Sequence, residues 1–209
     1  MNVLVHSEGH VVASEPAPLR VETSWRARAR AYLELTKPGI TRLVSLTAAA
    51  GYYLAARGGI DVAALLHTVI GTALVASGAS ALNQYAERDA DARMRRTAGR
   101  PLPSGRIAPG PALVFAWGLS AVGVLYLLVL VNAPAALVEA GTLLLYAFVY
   151  APLKRVTSLS TLLGAVPGAL PILAGWVAAG GSLRDPAAWA IFAVLFLWQI
   201  PHFLALAWM

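Results

Sequence analysis

The sequence predicts an all-α fold, a polytopic bundle of six transmembrane helices, and three observations carry that prediction. Of 209 residues, 58% are hydrophobic and only 12% are charged, against roughly 25% charged in an ordinary soluble domain. The charges are also unevenly placed: none falls between Val62 and Ala86, only Glu139 between Ile107 and Leu153, and only Arg184 and Asp185 after Val156. Each gap is long enough to cross a bilayer at least once, since a span needs roughly 20 apolar residues.

Residues 1–36 carry charges of both signs, two prolines and the basic stretch Trp25-Arg26-Ala27-Arg28-Ala29-Arg30. They read as a cytoplasmic N-terminal tail ending in a juxtamembrane segment. Val3-Leu4-Val5 is too short for a signal-peptide core. Residues 37–209 read as the transmembrane domain, with apolar runs at 39–58, 62–86, 110–131, 134–152, 159–180 and 186–208. Arg57-Gly58-Gly59, Asn132-Ala133-Pro134, and Gly180-Gly181-Ser182 with Asp185-Pro186 supply turn chemistry between runs. The connection from the second to the third run is instead long and strongly charged.

The absence of cysteine excludes disulfide scaffolds, thiolate metal sites and a cysteine nucleophile, so helix packing must hold the fold. The net charge of +6 reports loop topology rather than nucleic-acid binding. Arg20, Arg26, Arg28, Arg30 and Lys37 lie in the tail, Arg88 through Arg106 in the second-to-third loop, and Lys154 and Arg155 in the fourth-to-fifth loop. Only Arg57 and Arg184 fall in loops on the other side. By the positive-inside rule the tail and both basic loops are cytoplasmic.

Chemistry concentrates at the end of the second run. Asn83, Glu87 and Asp91 recur at i, i+4, i+8 and share one helical stripe. Three hard oxygen donors on a stripe suit Mg²⁺, which takes one or two carboxylates and completes its shell with water and phosphate. The competing reading is a set of i, i+4 surface pairs, which accounts for Asp89 with Arg93. It does not account for polar side chains reaching into an apolar membrane helix, where they are costly and commonly functional. Arg96 and Arg100 follow closely, and arginine suits bidentate phosphate recognition. Metal ligands beside phosphate-binding cations are what a metal–diphosphate substrate requires.

Asn83-x-x-x-Glu87-x-x-x-Asp91 followed by Met94-x-Arg96-Thr97-x-x-Arg100-Pro101-Leu102 resembles the first acidic motif of the UbiA-type intramembrane prenyltransferases. In detail it resembles their protohaem IX farnesyltransferase, or haem O synthase, branch. Further matches are Leu35-Thr36-Lys37-Pro38, Tyr150-x-x-Leu153-Lys154-Arg155-x-Thr157, Gly164 through Gly175-Trp176, and Trp198-Gln199-Ile200-Pro201-His202-Phe203. The last of these is the most branch-specific. Ser160 and Pro171-Ile172 depart from the pattern, where an Asn and a Pro-Pro pair are frequent.

The resemblance implies a membrane enzyme that transfers a farnesyl group from farnesyl diphosphate to a vinyl group of haem b, giving haem O. It implies Mg²⁺ held by Asn83, Glu87 and Asp91, with Lys154 and Arg155 as further catalytic contacts to the diphosphate. Arg96, Arg100, Tyr150, Trp198, Gln199 and His202 would contact substrate. A bacterial inner-membrane location is implied, with haem A synthase or terminal oxidase assembly factors as candidate partners and no nucleic acid. Rival readings are a UbiA-type enzyme acting on an aromatic acid or a chlorin, and a transporter or assembly subunit. The family is typically longer, with about nine spans and a second acidic motif, so an N-terminal fragment is expected.

Gly164, Gly168, Ala169 and Pro171 make the fifth run slim, for close helix approach or for ligand room. Glu139, about one turn inside the outer end of the fourth run, is expected to reach the interface and takes no catalytic role. His67 reads as helix lining.

Overall fold

The computed structural model describes residues 24–153, 157 and 160–208, so Lys154 and Arg155 lie outside the described residues. Among the described residues every regular element is helical. A short amphipathic helix α1, Trp25–Leu35, precedes α2, Pro38–Ala55. Pro38 opens α2 because its missing N–H falls where no intrahelical partner exists, and Lys37 turns the chain between the two helices at φ 46°. Helix α3, Val62–Asp91, is capped by Asp61, whose side chain accepts from the Ala64 N–H. Helix α4, Pro109–Leu130, again starts on proline.

Helix α5, Ala133–Leu144, passes through a π-helical turn, Leu145–Tyr150, into the short α6, Ala151–Leu153. Helices α7, Ser160–Ala178, and α8, Pro186–Trp208, complete the described chain. Asn132 ties two of these ends together. Its Oδ1 accepts from the Ala135 N–H at 2.9 Å to cap α5, while its Nδ2 donates to the Val177 and Ala178 carbonyls that end α7.

All six apolar runs fall on helices. Four stretches, Val62–Asp91, Pro109–Leu130, Ala133–Leu153 and Pro186–Phe203, are long and apolar enough to cross a membrane. Of the other two, α2 carries Arg42, hydroxyl side chains and two tyrosines, and α7 contributes the apolar stretch Leu162–Ala178. These two helices pack on one another, and α7 is the most enclosed helix, buried almost throughout from Pro171 to Ala178.

Buried side chains form two clusters. One, with Leu35, Val75 and Leu127, lies among α1, α3, α4 and α5. The other, with Ile172, Leu173 and Trp176, lies among α2, α5, α7 and α8.

Lipid tails are as apolar as leucine, so helices in a bilayer gain most from close backbone approach at small residues. The α2–α7 pair shows this directly: a Cβ on Gly175 would collide with the Ala48 carbonyl oxygen, and one on Gly51 with the Ile172 carbonyl oxygen. In α3–α4, Gly78 lies against Ser120 and the Ala116 carbonyl. Gly164 makes room for the Tyr150 ring and Gly168 for the Gln199 carboxamide, so both serve packing within the chain.

Glu139 does not reach the interface. It is 2% exposed, on a helix face turned into the bundle, and accepts a 2.9 Å hydrogen bond from Thr72 of α3. His67 pairs with the Tyr126 hydroxyl at 2.7 Å.

Gly175→Val should drive α2 and α7 apart and cost about 3 kcal/mol, read as a lowered melting temperature in detergent. Gly118 has open space around its Cα, so Gly118→Ala should be neutral or stabilising by up to about 1 kcal/mol. Equal losses in the two variants would contradict this packing.

Candidate functional site

The acidic stripe forms because α3 continues well beyond its apolar part. Asn83, 5% exposed, donates through Nδ2 to Glu87 Oε2 at 2.6 Å. One turn further, Asp91 is 2% exposed and accepts from Arg100 Nη1 at 2.6 Å. The three side chains thus occupy successive turns of one face, as their spacing predicts.

Residues 92–107 fold back to make this possible. Thr97 donates its hydroxyl to the Asp91 carbonyl at 2.9 Å, and Arg106 both pairs with Glu34 of α1 and donates to the Gly99 carbonyl. Gly105, at φ 73°, takes the left-handed turn that returns the chain toward α4. From the adjoining face of α3, buried Gln84 donates to the Glu34 and Leu35 carbonyls at 3.1 Å each. It thereby gives the Leu35 carbonyl at the end of α1 a partner and adds a second to the Glu34 carbonyl, which also accepts from the Lys37 N–H. Neither Gln84 nor Thr97 carries a spacing signal that marks it for these bonds.

Asp89, off the stripe, is exposed and pairs at 3.6 Å with Arg88, its neighbour, rather than with Arg93. Arg88 also lies 4.6 Å from the Tyr85 ring centroid. Arg96 is exposed, without an ion pair among the described residues. Arg100 instead points inward onto Asp91.

The π-helical turn contributes Tyr146 and Tyr150, whose rings lie 5.3 Å apart and whose phenols are within electrostatic range of the Glu87 carboxylate. The sequence predicts an ordinary helix here, and π turns are frequent at functional sites. Beside them a recess of about 150 Å³ opens between α3, α4 and the turn, lined by Asn83, Tyr85, Trp117, Tyr146 and Phe148 among others.

On α8, Trp198 and His202 stack at 5.1 Å with an 11° interplanar angle on its exposed side, while Gln199 turns to Gly168 of α7. The branch-specific run is therefore split between a stacked aromatic pair and a packed carboxamide. Its principal neighbour is α7, not α3.

Asn83, Glu87 and Asp91 form a hard oxygen set of the kind Mg²⁺ takes with a phosphate ligand. They are not a self-sufficient cage: among the described residues no three Asp, Glu, His or Cys side chains converge. Arg100 already neutralises Asp91. Such a set fits a metal that arrives with, or is completed by, a polyanionic ligand.

The family description "UbiA prenyltransferase family" matches residues 44–209. The chain is 49% identical to the protoheme IX farnesyltransferase of Solibacter usitatus, covering 86% of this chain and 64% of that protein. To the protoheme IX farnesyltransferase of Salinibacter ruber it is 49% identical, over 85% of this chain and 62% of the relative. The chain thus spans a little under two thirds of these curated relatives. In fold it is similar to a UbiA homologue from Archaeoglobus fulgidus bound to GPP and Mg²⁺, with a TM-score of 0.70 at 19% identity, covering 82% of this chain and 62% of that one.

Arg100→Ala should leave the Asp91 side chain buried without its ion-pair partner and cost about 2 kcal/mol, less than the roughly 3–5 kcal/mol for a fully buried pair because Arg100 is partly exposed. Adding Asp91→Asn should restore most of that loss, as a double-mutant cycle on thermal unfolding would measure. Additive losses would show that the pair is not coupled.

Proposed function

The chain belongs to the UbiA prenyltransferase family, an enzyme family, and from that membership we propose that the protein transfers a farnesyl group from farnesyl diphosphate to a vinyl group of haem b, giving haem O. The observation that carries this reading is the Asn83–Glu87–Asp91 stripe at the charged end of α3, with Asn83 and Asp91 buried and Glu87 half-buried between them. The names of its relatives support the choice of substrates.

In the reaction the allylic carbon–oxygen bond breaks and pyrophosphate leaves with the electron pair. The farnesyl carbon bonds to the vinyl terminus, and water supplies the hydroxyl of the resulting hydroxyethyl group with loss of a proton. Negative charge grows on the leaving group, so fixed cations aimed at it lower the barrier. Bound Mg²⁺ would supply Lewis-acid stabilisation of the diphosphate oxygens.

Glu87 and Asp91 would hold that metal with the Asn83 carboxamide oxygen, and the Arg100 guanidinium would fix the Asp91 rotamer. Lys154, Arg155 and Arg96 would contact the diphosphate from the loops, and Tyr150 would line the reacting end. Trp198 and His202 present a flat stacked surface suited to a porphyrin, and Gln199 would orient that pair from the α7 side. Apolar walls between helices would seat the farnesyl chain and keep water from the allylic cation. Residues 1–36 form the tail and 37–209 the membrane domain in this reading, with the tail and basic loops on the cytoplasmic side of a bacterial inner membrane.

Membranes containing the protein, given Mg²⁺, farnesyl diphosphate and haem b, should yield haem O, and chelation of the metal should stop it. Glu87→Gln should lower kcat about 100-fold, the scale of losing one preorganised charge contact. Product formed only from an aromatic acid would overturn the haem assignment, and full activity without divalent metal would overturn the role of the stripe.

A further inference from the structure

Helix α1 carries two neighbouring stripes that the reaction does not use. At 100° per residue, Trp25, Ala29 and Leu33 stand within about 80° of one another, and Arg26 and Arg30 form the adjoining stripe. The burial pattern settles which way they face. Ala31 and Leu35 are buried against the bundle and Tyr32 packs edge-on to Phe115 of α4 at 4.9 Å, while Trp25 is 74% and Leu33 60% exposed. The outward side of α1 is therefore apolar and basic at once.

Two further features tune that face. The single carboxylate of α1, Glu34, stands four residues after Arg30, where it would ordinarily pair with it, but it is taken by Arg106 at 2.5 Å. Among the described residues Arg26, Arg28 and Arg30 make no ion pair, and Arg26 lies over the Trp25 ring at 5.5 Å. The helix is held against the charged end of the long apolar helix α3, because Gln84 binds its last carbonyls, and α2 begins directly after it at Pro38.

We propose that α1 lies in the membrane interface and binds anionic phospholipid, with Arg26 and Arg30 on the headgroup phosphates and Trp25 and Leu33 in the acyl boundary beneath. An exposed apolar stripe beside arginines that make no ion pair among the described residues, fixed beside the charged end of a membrane-length helix, has the charge and polarity that an anionic lipid complements. Diversion of Glu34 to Arg106 keeps the Arg30 guanidinium available to it. The inference is independent of the proposed transfer reaction.

The chain contains no cysteine, so a single Leu33→Cys can carry a fluorophore, with Leu125→Cys on the lipid-exposed side of α4 as reference. The labelled full chain is reconstituted in phosphatidylcholine vesicles in which the brominated quencher is either phosphatidylglycerol or phosphatidylcholine. The label at 33 should report enrichment of the brominated anionic lipid, roughly fivefold for each arginine, whereas the label at 125 should be quenched equally by both. Arg26→Gln with Arg30→Gln should abolish the preference at 33 without altering quenching at 125, which shows that the variant remains inserted.

Equal quenching at 33 by both headgroups in the parent, or a preference that survives the double substitution, would overturn the proposal. So would loss of the preference on adding inorganic phosphate, which would assign the arginines to a free anion. Quenching at 125 with none at 33 would place protein rather than lipid over the stripe and overturn it as well.

Discussion

The charged end of the molecule hangs on the ion pair between Asp91 and Arg100. Helix α3 has 30 residues and is therefore about 45 Å long, well beyond the roughly 30 Å of a hydrocarbon core. Its last turns carry Glu87, Asp89 and Asp91, all at the negative end of the helix dipole, where carboxylates are disfavoured. The stripe therefore needs cations, and the segment after it supplies one. Arg100 reaches back to Asp91 while the Thr97 hydroxyl takes up the Asp91 carbonyl, so the loop that neutralises the helix end is also ordered by it. Helix α1 joins the same assembly through Gln84 and Arg106.

Farther into the bundle the constraint is different. With little hydrophobic drive between helices in lipid, contact depends on small residues and on satisfying the few polar groups present. Glycines let the α2 and α7 backbones meet, and Asn132 and Thr72 provide hydrogen bonds between elements distant in sequence. Gly164 and Gly168 connect this packing to the site, because the side chains they admit are Tyr150 and Gln199. A glycine that holds two helices together thus also fixes where a candidate substrate contact stands.

The helices were largely legible in the sequence, since long uncharged runs leave few alternatives, and the i, i+4, i+8 spacing placed Asn83, Glu87 and Asp91 on one stripe. Periodicity gives an azimuth but not a tertiary partner. It therefore gave no sign that Arg100 turns onto Asp91, that Glu139 faces Thr72 rather than the interface, or that Arg88 displaces Arg93 as the partner of Asp89. The π-helical turn was also out of reach: Leu145–Tyr150 is apolar and aromatic and fits an α-helix equally well. Residues 25–35 read as the end of the tail because the helix they form buries only Ala31 and Leu35, whose role shows only against the bundle.

We propose the stripe as a metal site completed by a polyphosphate ligand. Electron paramagnetic resonance of Mn²⁺, a spectroscopic substitute for Mg²⁺, tests it without turnover. The protein alone should immobilise little Mn²⁺, addition of inorganic pyrophosphate should produce a bound signal, and Glu87→Gln with Asp91→Asn should remove it. A bound signal of equal strength in that double variant, or none with pyrophosphate in the parent protein, would contradict the account.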